Sequence, residues 1–114
     1  MRVLAAEDDP TFRRFLPRML ESIGHSAEVA VDGLDLVRLA LLRTPDVVLS
    51  DIEMPRCDGV RASSLLRASR PGLRIILMTG DPAAAERARA AGFPVVLRKP
   101  FSLEELEVAL YSKP

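Results

Sequence analysis

Asp51 closes the apolar run Val47-Val48-Leu49-Ser50 and opens the turn Ile52-Glu53-Met54-Pro55-Arg56-Cys57-Asp58-Gly59. An acidic cluster, Glu7-Asp8-Asp9, closes an earlier apolar run, and Lys99-Pro100 follows a later one, Val95-Val96-Leu97. If these three runs are neighbouring parallel strands, several carboxylates and one ammonium meet at one sheet edge. Such a cluster is a site for a hard cation, because oxygen ligands suit it. It also sets a nucleophilic carboxylate beside the metal.

The elements that must position these groups follow from the pattern of apolar runs. Arg2–Glu7 reads as a short buried strand. Pro10–Ile23 reads as a helix with Asp9 as N-cap and Pro10 at its first position; Gly24 ends it, and Pro17 inside it removes a backbone hydrogen bond and bends it. Ala27–Val31 is a second strand. Leu34–Arg43 is a helix with Leu34, Val37, Ala40 and Leu41 at helical spacing, broken by Pro45 and Asp46. Val47–Ser50 is a central strand, apolar on both faces. Val60–Ser69 is a helix, Arg74–Thr79 a strand, and Pro82–Ala91 a helix capped by Asp81. Val95–Leu97 is the fifth strand. Leu103–Tyr111 is the closing helix, with Ser102 and Glu105 as a capping box.

Strict strand–helix alternation implies a parallel sheet with helices on both faces and right-handed crossovers. Ligands of such sheets bind at the carboxyl ends of the strands, near the point where strand order reverses. Glu7, Asp8, Asp51, Thr79 and Lys99 all fall at those ends. Pattern and chemistry therefore point to the same edge.

The bulk numbers set bounds. The chain has 114 residues, 48% hydrophobic and 28% charged, with a formal net charge of zero. That suits one globular domain over 1–114. Zero net charge argues against a dedicated nucleic-acid surface. No apolar stretch approaches the roughly 18 residues of a membrane span, and no basic-then-apolar export signal is visible. The single cysteine excludes an internal disulfide and fits a reducing cytoplasm. Of the 16 basic residues only two are lysine, which makes Lys99 conspicuous.

Taken in order, Glu7-Asp8-Asp9-Pro10, Asp51 with Met54-Pro55 and Asp58-Gly59, Thr79-Gly80 and Lys99-Pro100-Phe101 resemble the receiver domain of bacterial two-component response regulators. The likeness covers essentially the whole chain. It implies an α/β fold, the flavodoxin-like doubly wound five-stranded parallel sheet of order 2-1-3-4-5 with five helices, as in the chemotaxis response regulator. It also implies a function: a signalling phosphoacceptor with self-catalysed transfer and slow autodephosphorylation, rather than an enzyme.

By that resemblance Asp51 accepts a phosphoryl group from a phosphohistidine on a sensor histidine kinase or histidine phosphotransfer protein. The cofactor implied is Mg²⁺, bound directly by Asp8, Asp51 and the backbone carbonyl of Glu53, and by Glu7 through water. Thr79 is the hydroxyl that bonds a phosphoryl oxygen, and Gly80 lets the phosphoryl group approach the backbone. Lys99 pairs with Asp51 at rest and with the phosphoryl group afterwards, across a cis Lys99–Pro100 bond. The implied readout face is the fourth helix, fifth strand and fifth helix. The downstream effector is not implied; the domain either works alone, through partner binding, or is a piece of a longer regulator or hybrid kinase.

Two residues depart from the family's commoner pattern. Glu7 stands where Asp is more frequent. Val96 stands where Tyr or Phe is common, so the usual aromatic swing has no side chain to make it. Outside the motif, His25 reads as a solvated loop residue after Gly24, and Cys57 as a plain loop thiol near the site, open to solvent. Gly59 reads as serving a tight backbone conformation.

The same residues bear on two other function classes. A degenerate receiver would serve only as an interaction module; the full set Asp8, Asp51, Thr79 and Lys99 speaks against it. A Mg²⁺-dependent aspartyl phosphatase of the haloacid dehalogenase type places its nucleophile after the first strand with Asp two residues on. Here Asp51 follows the third strand, Glu53 takes that second position, and no insertion serves as a substrate cap.

Overall fold

Short runs such as Val47–Leu49 become strands because they carry apolar side chains to both faces and are too short for a helix. The computed structural model, which describes residues 1–112, pairs five of them side by side. They are β1 (Arg2–Ala6), β2 (Ser26–Ala30), β3 (Val47–Asp51), β4 (Arg74–Thr79) and β5 (Val96–Arg98). All pairings are parallel, in the order β2-β1-β3-β4-β5. This is the doubly wound order that the resemblance to receiver domains implies.

Five helices cover the sheet: α1 (Pro10–Ser22), α2 (Gly33–Arg43), α3 (Gly59–Ser69), α4 (Pro82–Ala90) and α5 (Leu103–Tyr111). Alternation along β1 divides the core. Val3 and Ala5 pack with Leu16 and Leu20 of α1 and Leu106 and Leu110 of α5. Leu4 and Ala6 face the other way, with Leu36 of α2, Leu66 of α3 and Ala84 and Ala88 of α4. Burying each such leucine contributes on the order of 2 kcal/mol.

Every helix starts on a side-chain cap just past the carboxyl end of a strand. Asp9, Asp32, Asp58 and Asp81 accept from the backbone N–H of Thr11, Asp35, Arg61 and Ala83 respectively. Ser102 and Glu105 form the capping box expected for α5. These aspartates are thereby separated from the other acidic groups at the same edge: their oxygens are engaged in starting helices. α1 continues through Pro17, and Gly24 follows it at a φ of +90°.

Three expectations are corrected. In α2 the buried residues are Gly33, Leu36, Leu39 and Ala40, while Leu34 and Leu41 are 54% and 53% exposed. The segment is apolar on several sides: Ala40 and the half-buried Val37 meet the core as the spacing predicts, whereas Leu34 and Leu41 do not. His25 is not solvated but buried. Its Nδ1 lies 2.9 Å from the amino terminus and its Nε2 3.4 Å from the Tyr111 hydroxyl. Burial, reinforced by the terminal ammonium, holds its pKa below the usual imidazole value despite the opposing charge of Glu107. Cys57 is also buried rather than open to solvent.

The burial of Cys57 has a backbone cause. A Cβ at Gly33 would lie 1.9 Å from the Cys57 carbonyl oxygen, so the start of α2 rests directly on the loop after β3.

Candidate functional site

The strand-order reversal lies between β1 and β3, and their carboxyl ends carry the acidic residues. Register sets Ala6 beside Ser50, so Glu7 and Asp8 leave β1 next to Asp51 at the end of β3. Asp51 pairs with Met78 and Thr79 with Arg98, which brings the ends of β4 and β5 to the same edge. Lys99 follows directly, and its N–H donates to the Thr79 carbonyl at 2.9 Å.

Glu7, Asp8 and Asp51 each offer one carboxylate oxygen, and these lie within 4.8 Å of one another. Glu7 and Asp51 are buried; Asp8 is half-buried. The Lys99 ammonium donates to Glu7 Oε1 at 2.6 Å and stands 3.3 Å from Asp51 Oδ2. Among the described residues, Asp51 Oδ1 is buried with no hydrogen-bond partner. A buried carboxylate oxygen without a partner, on a residue clustered with two further carboxylates, suits a divalent cation with oxygen ligands. The residues present therefore fit a hard cation such as Mg²⁺.

Electrostatics follow from this crowding. Burial, and then the charge of Glu7, push the Asp51 carboxyl up to about 7, against the opposing pull of Lys99. Burial would pull the Lys99 ammonium down, but its hydrogen bond to Glu7 and the charge of Asp51 outweigh this and raise it. The cluster carries excess negative charge that one lysine does not neutralise.

Lys99 pairs with Asp51 as the resemblance implies, and lies closer still to Glu7. The longer glutamate side chain reaches the ammonium and also accepts from the Asp9 N–H at 3.1 Å. Phe12, in the first turn of α1, was not singled out by the sequence. Its ring lies 4.9 Å from Lys99 Nζ and packs edge-on against Phe101. An aromatic three residues after an acidic cap was the only available signal. The Lys99–Pro100 bond is cis.

Thr79 is fully buried. Its hydroxyl donates to Glu53 Oε1 at 2.6 Å and accepts from the Asp81 N–H at 3.0 Å. Gly59 is needed for closeness rather than for an unusual φ: a Cβ there would lie 2.0 Å from the Asp51 carbonyl oxygen. Its N–H donates to the Ile52 carbonyl at 2.8 Å. Gly59→Ala should therefore push the Asp51 turn outward. We expect a loss of stability of about 3 kcal/mol, together with weakened divalent-cation binding, measured by urea unfolding and calorimetric titration. Unchanged values for both would show that the turn yields freely. At Gly80, by contrast, a Cβ would meet the Lys99 carbonyl oxygen at an ordinary 3.8 Å.

Comparison with known proteins agrees with this arrangement. The family model of the response regulator receiver domain matches residues 3–111. The chain belongs to the response regulator receiver family. The response regulator MprA of Mycobacterium leprae is 38% identical over 108 residues, which is 93% of this chain and 47% of that protein. The chain thus spans about half the length of the curated relatives it matches.

Among solved receiver structures, that of the sensor histidine kinase PA1611 from Pseudomonas aeruginosa is 32% identical, with a TM-score of 0.88. The match covers 96% of this chain and 93% of that one, and that receiver has a magnesium ion coordinated in its active-site cleft. A receiver domain from Clostridium thermocellum is 26% identical with a TM-score of 0.88, covering 96% and 90% of the two chains. Among the described residues of the present receiver, no helix is long and apolar enough to cross a membrane.

Proposed function

We propose that this receiver is the phosphoacceptor of a two-component relay. Asp51 takes a phosphoryl group from a phosphohistidine of a sensor histidine kinase or histidine phosphotransfer protein, and the modified domain changes its binding to a downstream partner. The observation that carries this reading is the Asp51 carboxylate itself. It is buried at the sheet's switch point, with Lys99 on one oxygen and no partner on the other.

An Asp51 carboxylate oxygen attacks phosphorus in line. The N–P bond of the phosphohistidine breaks, an O–P bond forms, and the imidazole departs. Hydrolysis later returns the carboxylate and inorganic phosphate. Asp8, Asp51 and the Glu53 backbone carbonyl would hold Mg²⁺, with Glu7 acting through water, and the ion would supply positive charge to offset the phosphoryl oxygens. Lys99 transfers its ammonium from the carboxylates to a phosphoryl oxygen, a change that its flexible stem and rotatable donors permit. Thr79 turns its hydroxyl to another phosphoryl oxygen. The switch is then a shift between two arrangements of the β4–α4 segment, with α4, β5 and α5 as the readout face. Val96 in β5 takes no aromatic part in it.

The bond type tests the reading. Label taken from a phosphohistidine donor should be released by hydroxylamine, as an acyl phosphate is. Label that resists hydroxylamine would belong to a hydroxyl group and would contradict it.

A further inference from the structure

We propose that Glu53 is a resting-state latch on Thr79: its carboxylate holds the hydroxyl proton that the phosphoryl group must claim. This deepens the phosphoacceptor reading and rests on it. A threonine hydroxyl has one proton to donate. Here that proton goes to Glu53 Oε1 at 2.6 Å, a length typical of a charge-assisted O–H···O⁻ bond. Thr79 cannot donate to Glu53 and to a phosphoryl oxygen at once, so activation requires the exchange of one anionic acceptor for another.

The geometry gives the exchange a consequence beyond the site. Thr79 Oγ1 also accepts from the Asp81 N–H at 3.0 Å, and Asp81 is the N-cap of α4. One hydroxyl therefore bridges the turn after Asp51 to the first turn of α4. When the hydroxyl leaves Glu53, the bond to the Asp81 N–H must be remade or broken as well. This puts the latch on the element that changes, in a receiver whose β5 carries Val96 rather than an aromatic. Glu53 is thus a positioning residue acting through Thr79. It is exposed to solvent, so replacing it leaves the core untouched.

The test is a mutant cycle on the equilibrium binding of beryllofluoride, which joins an aspartate carboxylate as a mimic of the acyl phosphate. It is read by NMR titration at fixed pH and saturating Mg²⁺. Glu53→Ala should tighten binding by about tenfold, the order that one hydrogen bond to a charged group supplies. In the Thr79→Val background, which has no hydroxyl to hold, the same Glu53→Ala change should alter binding by less than about twofold. Thr79→Ser, which keeps the hydroxyl, should restore the larger effect.

An equal gain in the Thr79→Val and parent backgrounds would mean that Glu53 acts only by repelling the anion, and the latch would be overturned. No gain in the parent background would overturn it as well. If the unsubstituted protein bound no beryllofluoride at all, the phosphoacceptor reading would fall and the latch with it. That result is distinguishable from a parent that binds but shows a flat cycle.

Discussion

Asp51→Asn is expected to make the metal-free protein more stable at about pH 8, although it removes the residue on which the function depends. The Asp51 carboxyl is raised from 3.8 to about 7 by burial and by Glu7. Its folded pKa thus lies above its unfolded one. Between about pH 4 and pH 7 the folded state binds more protons than the unfolded state, so stability falls as pH rises through that window. Asparagine has no such proton to lose. The gain above about pH 7 is on the order of 3 kcal/mol. Urea unfolding with chelator present should show a parent that weakens from about pH 5 to pH 8 and a variant that does not. Added Mg²⁺ should restore the parent at about pH 8 and leave the variant nearly unchanged, because only the parent gains a cation on its carboxylate. A variant less stable than its parent at about pH 8 without metal would contradict this account of the site.

Lys99→Met is expected to have the opposite sign. Among the described residues, the ammonium is the only cation placed between Glu7 and Asp51, at 2.6 and 3.3 Å. Removing it leaves two buried carboxylates facing one another, which costs about 3 kcal/mol at about pH 8. The loss should shrink near pH 5, where Asp51 takes up a proton, and it should shrink again in the Lys99→Met/Asp51→Asn double variant. A coupling above about 1 kcal/mol in that cycle is expected. Strict additivity would mean that Lys99 stabilises independently of the Asp51 carboxylate.

Much of this site was legible before any coordinates. A strand end is the place where an apolar run stops, and Asp51, Glu7-Asp8, Thr79 and Lys99 each follow such a stop. Parallel topology then puts all of them on one edge. Asp9, Asp81 and Ser102 read directly as caps, because each precedes a proline or has a glutamate three residues on.

What the sequence concealed depends on distance along the chain or on competing patterns. Burial of His25 needs Tyr111, 86 residues away. Burial of Cys57 needs α2 to sit on its carbonyl at Gly33. The α2 stripe was ambiguous because Leu34, Leu36, Leu39, Leu41 and Leu42 supply more than one helical spacing, and only the sheet beneath chooses among them. The preference of Lys99 for Glu7 comes from one extra methylene in glutamate. The Thr79–Glu53 bond joins the end of β4 to the loop after β3, which no local signal connects.

Intact mass after incubation with acetyl phosphate, with and without Mg²⁺, for the parent and for Asp51→Asn, tests the central claim most directly. The parent should gain the mass of one phosphoryl group, only when Mg²⁺ is present, and Asp51→Asn should gain none. The same gain in Asp51→Asn, or no gain in the parent from either acetyl phosphate or a phosphohistidine protein, would contradict the assignment of Asp51 as phosphoacceptor.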